Sequence, residues 1–211
     1  MSRPSKRRGY HHGDLRAALI ETAVELIDER GVRHFSLAEA SRRLGVTVSA
    51  PYAHFADRDA LLAAVTVHAY ELFHADVMRE VDRFRKPADR LAAVARSYVR
   101  FAGTHRALFE ALFDPGVDKS RHPEIDAAKH RLGDAFMSCV QALGGGETAS
   151  NNLAVAVEAA AHGHAMLLID GDFGDGNEAV EGAAERAARA TLALIEGRDL
   201  LIRRRRGTRP R

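Results

Sequence analysis

Tyr52, His54 and Arg58 are the residues whose types and spacing most directly suggest a chemical role. A phenol and an imidazole N–H, two positions apart at the end of a short predicted helix, can both donate hydrogen bonds to phosphate oxygens. Arg58 adds a cation at the start of the next predicted helix, where free backbone N–H groups also favour an anion. The spacing predicts contact with a phosphate backbone, although His54 could instead merely pack at its helix end.

Two predicted helices precede these residues. Residues 15–27 carry apolar side chains at helical spacing, and Gly31 follows as a stop signal. Ser36 and Glu39 then form a capping box, in which each side chain satisfies a backbone N–H at a helix start. The second helix is expected to run to about Leu44.

A glycine corner follows the second helix. Gly45 can take the positive φ that ends a helix, and Val46 can point inward to fix the corner. Thr47 or Ser49 then caps a short third helix that ends near Phe55. Two short helices joined at a glycine corner are typical of a helix-turn-helix.

The exposed start of this third helix is the expected base-reading surface. Its candidate residues are Thr47, Val48, Ser49 and Ala50, supported by Tyr52 and Ala53. Their short side chains make no bidentate base contacts, so we predict recognition through thymine methyl groups, DNA shape and a basic N-terminal arm that contains Arg7 and Arg8. Ser36 and Arg42 complete the candidate DNA contacts, although Arg42 and Arg43 could be only a solvated face.

The charge is divided unevenly along the chain. Formal net charge is +2, yet residues 1–16 carry five basic residues against one acidic residue, and residues 203–211 carry six arginines and no acid. The body between them is therefore acidic. We expect a polyanion to meet the termini and not the middle, while the C-terminal arginines could equally be a solvated end.

Other sequence features favour a cytoplasmic protein outside the membrane. Cys139 is the only cysteine, so no intramolecular disulfide can form, and the first thirty residues contain no apolar export signal. No apolar run approaches the roughly 20 residues that span a bilayer. The alanine-rich composition without tryptophan favours an all-α fold.

Residues 36–62, with the sequence SLAEASRRLGVTVSAPYAHFADRDALL, resemble the DNA-binding segment of the TetR family. GYHHGDL at 9–15 and VSAPYAHF at 48–55 narrow the resemblance to one subgroup of this family. HGHAMLLIDG at 162–171 is similar to a segment of that subgroup. The resemblance implies phosphate-contact roles for Tyr52, His54 and Arg58. Ala38 departs from the family, because many relatives carry a base-reading arginine there.

The resemblance also implies a domain organisation and a mechanism. We expect a basic arm at 1–13, a helix-turn-helix domain at 14–56, a helical effector-binding and dimerisation domain at 57–200, and an arginine-rich tail at 201–211. A TetR-type repressor is a homodimer that binds a palindromic operator in double-stranded DNA and releases it on binding an effector. The last two helices, near 148–169 and 177–196, are rich in small residues that suit a subunit interface.

Aromatic, methionine and histidine side chains in the body are candidates for the effector pocket, although most could be plain core. They are Phe73, Tyr98, Phe101, Phe109, Phe113, Phe136, Met137, His162 and Met166. Such a lining suits a flat or apolar small molecule, because these side chains bury large areas and adapt in shape.

Other functions have weaker support. The run at 144–146 is a glycine connector without the Lys-Ser/Thr of a phosphate-binding loop, and Cys139 lies mid-helix, so neither predicts an enzyme. His162 and His164 point away from each other on a helix, so we expect neither a metal nor a cofactor. A non-specific DNA-binding protein and a TetR-type activator remain as alternatives.

Overall fold

This computed structural model describes residues 15–113 and 116–201. Over these residues the protein is predominantly helical. These residues form eight α-helices, joined by turns and short 3-10 segments: α1 (Leu15–Arg30), α2 (Leu37–Leu44), α3 (Arg58–Val81), α4 (Pro87–Thr104), α5 (Arg106–Phe113), α6 (Pro123–Gln141), α7 (Glu147–Ile169) and α8 (Gly176–Glu196). The all-α prediction is confirmed, and the predicted ends of α7 and α8 differ from these bounds by at most one residue.

Local signals set the bounds of α1 and α2, which form the head together with residues 45–55. Gly31 and Gly45 adopt φ angles of 78° and 71°, a region that side-chain-bearing residues seldom occupy. The Oγ of Ser36 accepts a hydrogen bond from the N–H of Glu39 at 3.2 Å, as in a capping box. The carboxylate of Glu39 contacts Arg30 at 2.9 Å instead of the backbone of Ser36.

The expected short third helix of the head is present, but it is a 3-10 helix and not an α-helix. Residues Ala50–Ala53 form a 3-10 turn, in which the N–H of Ala50 bonds to the carbonyl of Thr47 and the N–H of Tyr52 to that of Ser49. Pro51 lies in the first turn of this helix, where its missing N–H costs little, and its carbonyl accepts from the N–H groups of both His54 and Phe55. The segment is short and tightly wound.

The body is a helical bundle built around α4. This helix packs against α8, α7 and α3, while α6 lies across α3. Gly103 lets α4 and α8 approach closely, because a Cβ at this position would lie 2.7 Å from Cγ2 of Val180. Phe101 and Val99 on α4 are among the most completely buried side chains.

Ion pairs join three helices of the bundle at its edge. On α4, Arg96 contacts Glu185 of α8 at 2.6 Å and Arg100 contacts Glu181 at 2.6 Å. Both arginines also reach Glu80 of α3, at 3.7 and 3.3 Å. The hydrogen bond from Arg96 lowers the pKa of Glu185. These contacts fix α8 to the α3–α4 pair.

The head is joined to the body by α3 and α5, which both pack against α1. Arg58, the first residue of α3, donates from Nε to the carbonyl of Phe35 at 3.1 Å and from Nη2 to that of Val32 at 2.7 Å. A guanidinium that binds two backbone carbonyls ties the α1–α2 connection to the start of α3.

Candidate functional site

Residues 47–55, which we call the recognition segment, lie at the surface of the head. Pro51 and Phe55 are buried and attach the segment to the core, while Tyr52 is 55% exposed and Val48 is 54% exposed. Ala53 and His54 are also exposed. The segment therefore presents the predicted phosphate-contact residues to the solvent.

The predicted base-reading residues lie at the start of the same segment. Thr47, Val48 and Ser49 are exposed, and Ala50 is half-buried. The hydroxyl groups of Thr47 and Ser49 are 3.2 Å apart and hydrogen-bonded to each other. This surface offers two hydroxyls and an isopropyl group, which suits thymine methyl groups and water-bridged contacts more than bidentate base contacts.

Two neighbouring arginines of α2 have different surroundings. The side chain of Arg42 is 70% exposed and contacts Glu39 at 3.4 Å. Arg43 instead makes a paired contact with Glu29 of α1, with both N–O distances at 2.7 Å. This hydrogen bonding raises the pKa of Arg43 and lowers that of Glu29. Arg42 is thus the more available of the two for an external phosphate.

Ser36 and Arg58 have structural contacts of their own. The hydroxyl oxygen of Ser36 caps α2, and the carboxylate of Asp57 caps α3 by accepting from the N–H of Ala60 at 2.8 Å. Arg58 is engaged by the carbonyls of Val32 and Phe35. A phosphate contact by Arg58 stays a prediction, but it competes with these two bonds and with the acidic cap beside it.

Two predicted basic segments lie outside the described residues. They are the N-terminal arm, with Arg7 and Arg8, and the arginines from 203 onward. Their roles stay predictions from sequence.

A cavity of about 590 Å³ lies in the body between α3, α4, α5, α6 and α7. Five of the predicted pocket residues line it: Phe73, Tyr98, Phe113, Phe136 and Met137. A volume of this size is ordinary for a site that encloses a drug-sized molecule.

Four predicted pocket residues lie off the cavity wall, which corrects that part of the prediction. Phe101 and Phe109 are fully buried core residues, and Phe101 stacks on Phe73 with ring centroids 4.7 Å apart. His162 lies behind Tyr98, with its Nδ1 2.9 Å from the tyrosine oxygen. Met166 is 38% exposed on the outer side of α7. Aromatic character alone does not reveal which face of a helix meets the cavity.

The cavity also contains polar residues that were not among the predicted pocket residues. They are Tyr70, Lys129, His130, Asp134, Asn151 and Glu158. Helical spacing could have predicted two of them, because Tyr70 precedes Phe73 by three positions and Lys129 precedes Phe136 by seven, which places each pair on one helix face. These residues give an otherwise apolar cavity a polar mouth and two phenols in its wall.

The two phenols are held in different ways. Tyr98 is hydrogen-bonded to His162, whereas the hydroxyl of Tyr70 donates to the carbonyl of Leu112 at 3.4 Å. Burial, and then the charge of Glu158, raise the pKa of Tyr98. Burial, and then the charge of Asp126, raise the pKa of Tyr70. Both hydroxyls therefore stay protonated and can donate hydrogen bonds at neutral pH.

The outer side of α7 is apolar and exposed. Val155, which also borders the edge of the cavity, is 67% exposed, and Met166 and Leu167 are also exposed. A stretch of 18 residues within α7 has a mean hydropathy of 1.3, so the helix is long and apolar enough to cross a membrane by length and composition alone. However, this helix packs against α4, α6 and α8, as core helices of bundles do.

Comparisons with known proteins bear on both parts of the chain. Residues 19–65 match the family model described as bacterial regulatory proteins, tetR family, and residues 91–191 match the one described as tetracyclin repressor-like, C-terminal domain. A comparison with curated proteins found no match.

Solved structures share the whole fold. A protein of unknown function from Rhodococcus sp. RHA1 is 30% identical, with a TM-score of 0.74, over 89% of this chain and 98% of that one. The TetR family transcriptional regulator PfmR from Thermus thermophilus is 17% identical, with a TM-score of 0.63, over 84% and 96%. AibR, solved with isovaleryl coenzyme A and operator DNA, is 20% identical, with a TM-score of 0.63, over 82% and 95%.

The two family matches cover the head and most of the body in order, and the fold of the described residues agrees with that of the regulators. The chain belongs to the TetR family of transcriptional regulators.

Proposed function

We propose that this protein is a homodimeric repressor that binds a palindromic operator and leaves it when a small apolar or aromatic effector enters the cavity. The observation that carries the proposal is the outward presentation of the recognition segment. Its buried anchors, Pro51 and Phe55, alternate with the exposed Tyr52, Ala53 and His54. A segment fixed from behind and exposed in front is suited to enter a major groove.

The DNA contacts divide into two groups. Tyr52, His54 and Arg42 would bind phosphates, with the hydroxyl of Ser36 as a further donor beside them. Residues 47–50 would face the base edges, and the arm that contains Arg7 and Arg8 would lie in a groove. Because the base-reading side chains are short, we expect much of the specificity to come from DNA shape.

The outer side of α7 supports the dimer. Val155, Ala159, Gly163 and Met166 recur at intervals of four, four and three residues, so they share one face of the helix. No atom lies within 4 Å of a Cβ built on Gly163, which leaves room for a second helix to approach. A second copy that packs its own α7 and α8 on this face would bury the exposed apolar side chains.

The position of α5 supports a link between cavity and head. Phe113 and Leu112 line the cavity from the last turn of α5, and the same helix packs against α1. A ligand that displaces Phe113 would shift α5 and with it the head. A coupling free energy of about 1–3 kcal/mol is enough to change operator affinity by roughly 5–150-fold.

AibR, whose structure contains both isovaleryl coenzyme A and operator DNA, provides a precedent on the same fold. A regulator of this kind acts where the chromosome lies, which favours a cytoplasmic protein. An activator of the same fold would share every feature named above.

Operator selection from a random duplex pool tests the proposal. We expect a palindromic sequence that the protein holds against a large excess of unrelated DNA, with two chains per duplex by light scattering. A promoter-reporter assay then separates repression from activation. Equal competition by unrelated DNA would contradict operator recognition and favour a charge-driven binder.

A further inference from the structure

The juxtaposition of five aromatic rings with the carboxylates of Asp134 and Glu158 in one cavity leads us to propose that the effector is a lipophilic cation. Such a molecule joins a bulky apolar or aromatic body to a permanent or protonated positive charge. This inference rests on the proposed function of the cavity as the effector site, and it specifies the class of ligand.

The aromatic part of the wall comes from four helices. Its rings belong to Tyr70, Phe73, Tyr98, Phe113 and Phe136. Phe73 and Tyr98 meet edge to face, with centroids 5.5 Å apart. Ring faces attract a cation by about 0.5–2 kcal/mol each when the site is desolvated, but they also accept a neutral aromatic molecule. The charges around the rings must therefore decide between the two.

Two carboxylates at the cavity are available to a ligand. Asp134 on α6 and Glu158 on α7 approach it from different helices, and neither forms an ion pair with a described residue. Asp134 also borders a second pocket that Arg90 and Arg131 line. Other acidic residues of the bundle, such as Glu181 and Glu185, are held by arginines. A carboxylate that borders an apolar cavity without a partner is favourably placed to bind a cation.

The cavity also contains a competitor for this charge. Lys129 of α6 lines the mouth, with His130 beside it, and both side chains are exposed, as are those of Asp134 and Glu158. Water and salt therefore screen the charges of both signs to a similar extent. The two acidic residues thus outnumber the one permanent cation at the cavity.

The two phenols in the wall have acidic neighbours. Burial is the larger cause that raises the pKa of Tyr98 and Tyr70, and it does so whatever the sign of the surrounding charge. The charges of Glu158 and Asp126 add a smaller effect in the same direction. Negative charge beside the cavity favours a bound cation over a bound anion.

Calorimetric titration of the full-length protein with two probes tests the charge preference. Tetraphenylphosphonium and tetraphenylborate have closely similar shapes and opposite charges. We expect the phosphonium to bind at least about tenfold tighter, which corresponds to about 1.4 kcal/mol. Glu158→Gln should weaken phosphonium binding about tenfold. The matched control is Glu196→Gln, which makes the same charge change at the exposed end of α8, off the cavity wall, and should leave binding unchanged.

Tighter binding of the borate, equal binding of both probes, binding of neither, or equal effects of the two glutamine variants would each overturn the cation proposal. A second measurement separates this outcome from failure of the effector site itself. Gly133→Leu places a side chain at the cavity where no atom lies within 4 Å of the new Cβ, and it should not disturb α6. Suppose that a neutral or anionic compound releases the operator from the parent protein but not from Gly133→Leu. This result would support the cavity as the effector site and would contradict only the proposal of a cationic effector.

Discussion

The recognition segment and the cavity wall are held in place by different means. The segment is a short surface turn, attached by the buried Pro51 and Phe55 and by a few backbone hydrogen bonds. The cavity wall belongs to long helices whose opposite faces form the core and whose edges are joined by ion pairs. Substitutions of exposed side chains in the segment should therefore change DNA binding and leave folding intact. Substitutions in the body should also weaken folding, unless they touch only the cavity wall.

The largest expected effect separates core from cavity within the body. Phe101→Ala should lower the free energy of unfolding by about 3–5 kcal/mol, because the ring is fully buried and stacked on Phe73. Phe136→Ala should cost about 1 kcal/mol or less, since this half-buried ring lines the cavity and has protein neighbours on one side only. Urea denaturation at one protein concentration measures both. Equal losses would show that the cavity wall is part of the core.

The next effect concerns the joint between head and body. Arg58→Ala should lower the free energy of unfolding by about 1–2 kcal/mol, because its bonds to the carbonyls of Val32 and Phe35 are lost. Arg79→Ala, an exposed arginine on the same helix, is the control and should leave stability nearly unchanged. Thermal and urea denaturation give the stability, and a DNA titration gives the affinity. Unchanged stability with weaker DNA binding would show that Arg58 is mainly a phosphate contact.

The same contrast explains what the sequence could and could not predict. The corner of the head was predictable because its signals are local: Ser36 caps α2, and Gly45 supplies the positive φ that ends it. The type of the third helix was not, because α- and 3-10 helices share the same start signals and differ in which carbonyl each N–H reaches: here Ala50 and Tyr52 bond three residues back.

The cavity was predicted only in part for a different reason. Phe73 and Phe101 are alike in sequence context, yet one borders the cavity and the other lies in the core. Which face of a helix meets an empty space depends on how five helices pack together, and this information is not local. Polar residues such as Glu158 gain their meaning at the cavity only from that packing.

A smaller effect tests the recognition segment. Tyr52→Ala should weaken operator and unrelated DNA alike, by about tenfold or somewhat less, because a phosphate contact carries no sequence information. The melting temperature should not change, since the side chain is 55% exposed. Tyr52→Phe keeps the ring and removes the hydroxyl, so it should match the alanine variant if the hydroxyl makes the contact. A loss confined to one base position of the operator would assign Tyr52 to base reading instead.

The smallest effect compares two adjacent arginines of α2. Arg42→Ala should lower DNA affinity about threefold and reduce the salt dependence of binding by about one released counterion. The Arg42 side chain is 70% exposed and its contacts are long, at 3.4 Å to Glu39 and 3.3 Å to the carbonyl of Ala38, so the guanidinium can exchange them for a phosphate. Arg43→Ala removes the same charge from the neighbouring position, yet this guanidinium is committed to Glu29 through two hydrogen bonds. Its salt dependence should therefore equal that of the parent protein. Titrations of operator DNA at several salt concentrations measure both slopes. If the two variants lose equally, the contact with Glu29 opens when DNA binds, and α2 meets the backbone with both of its arginines.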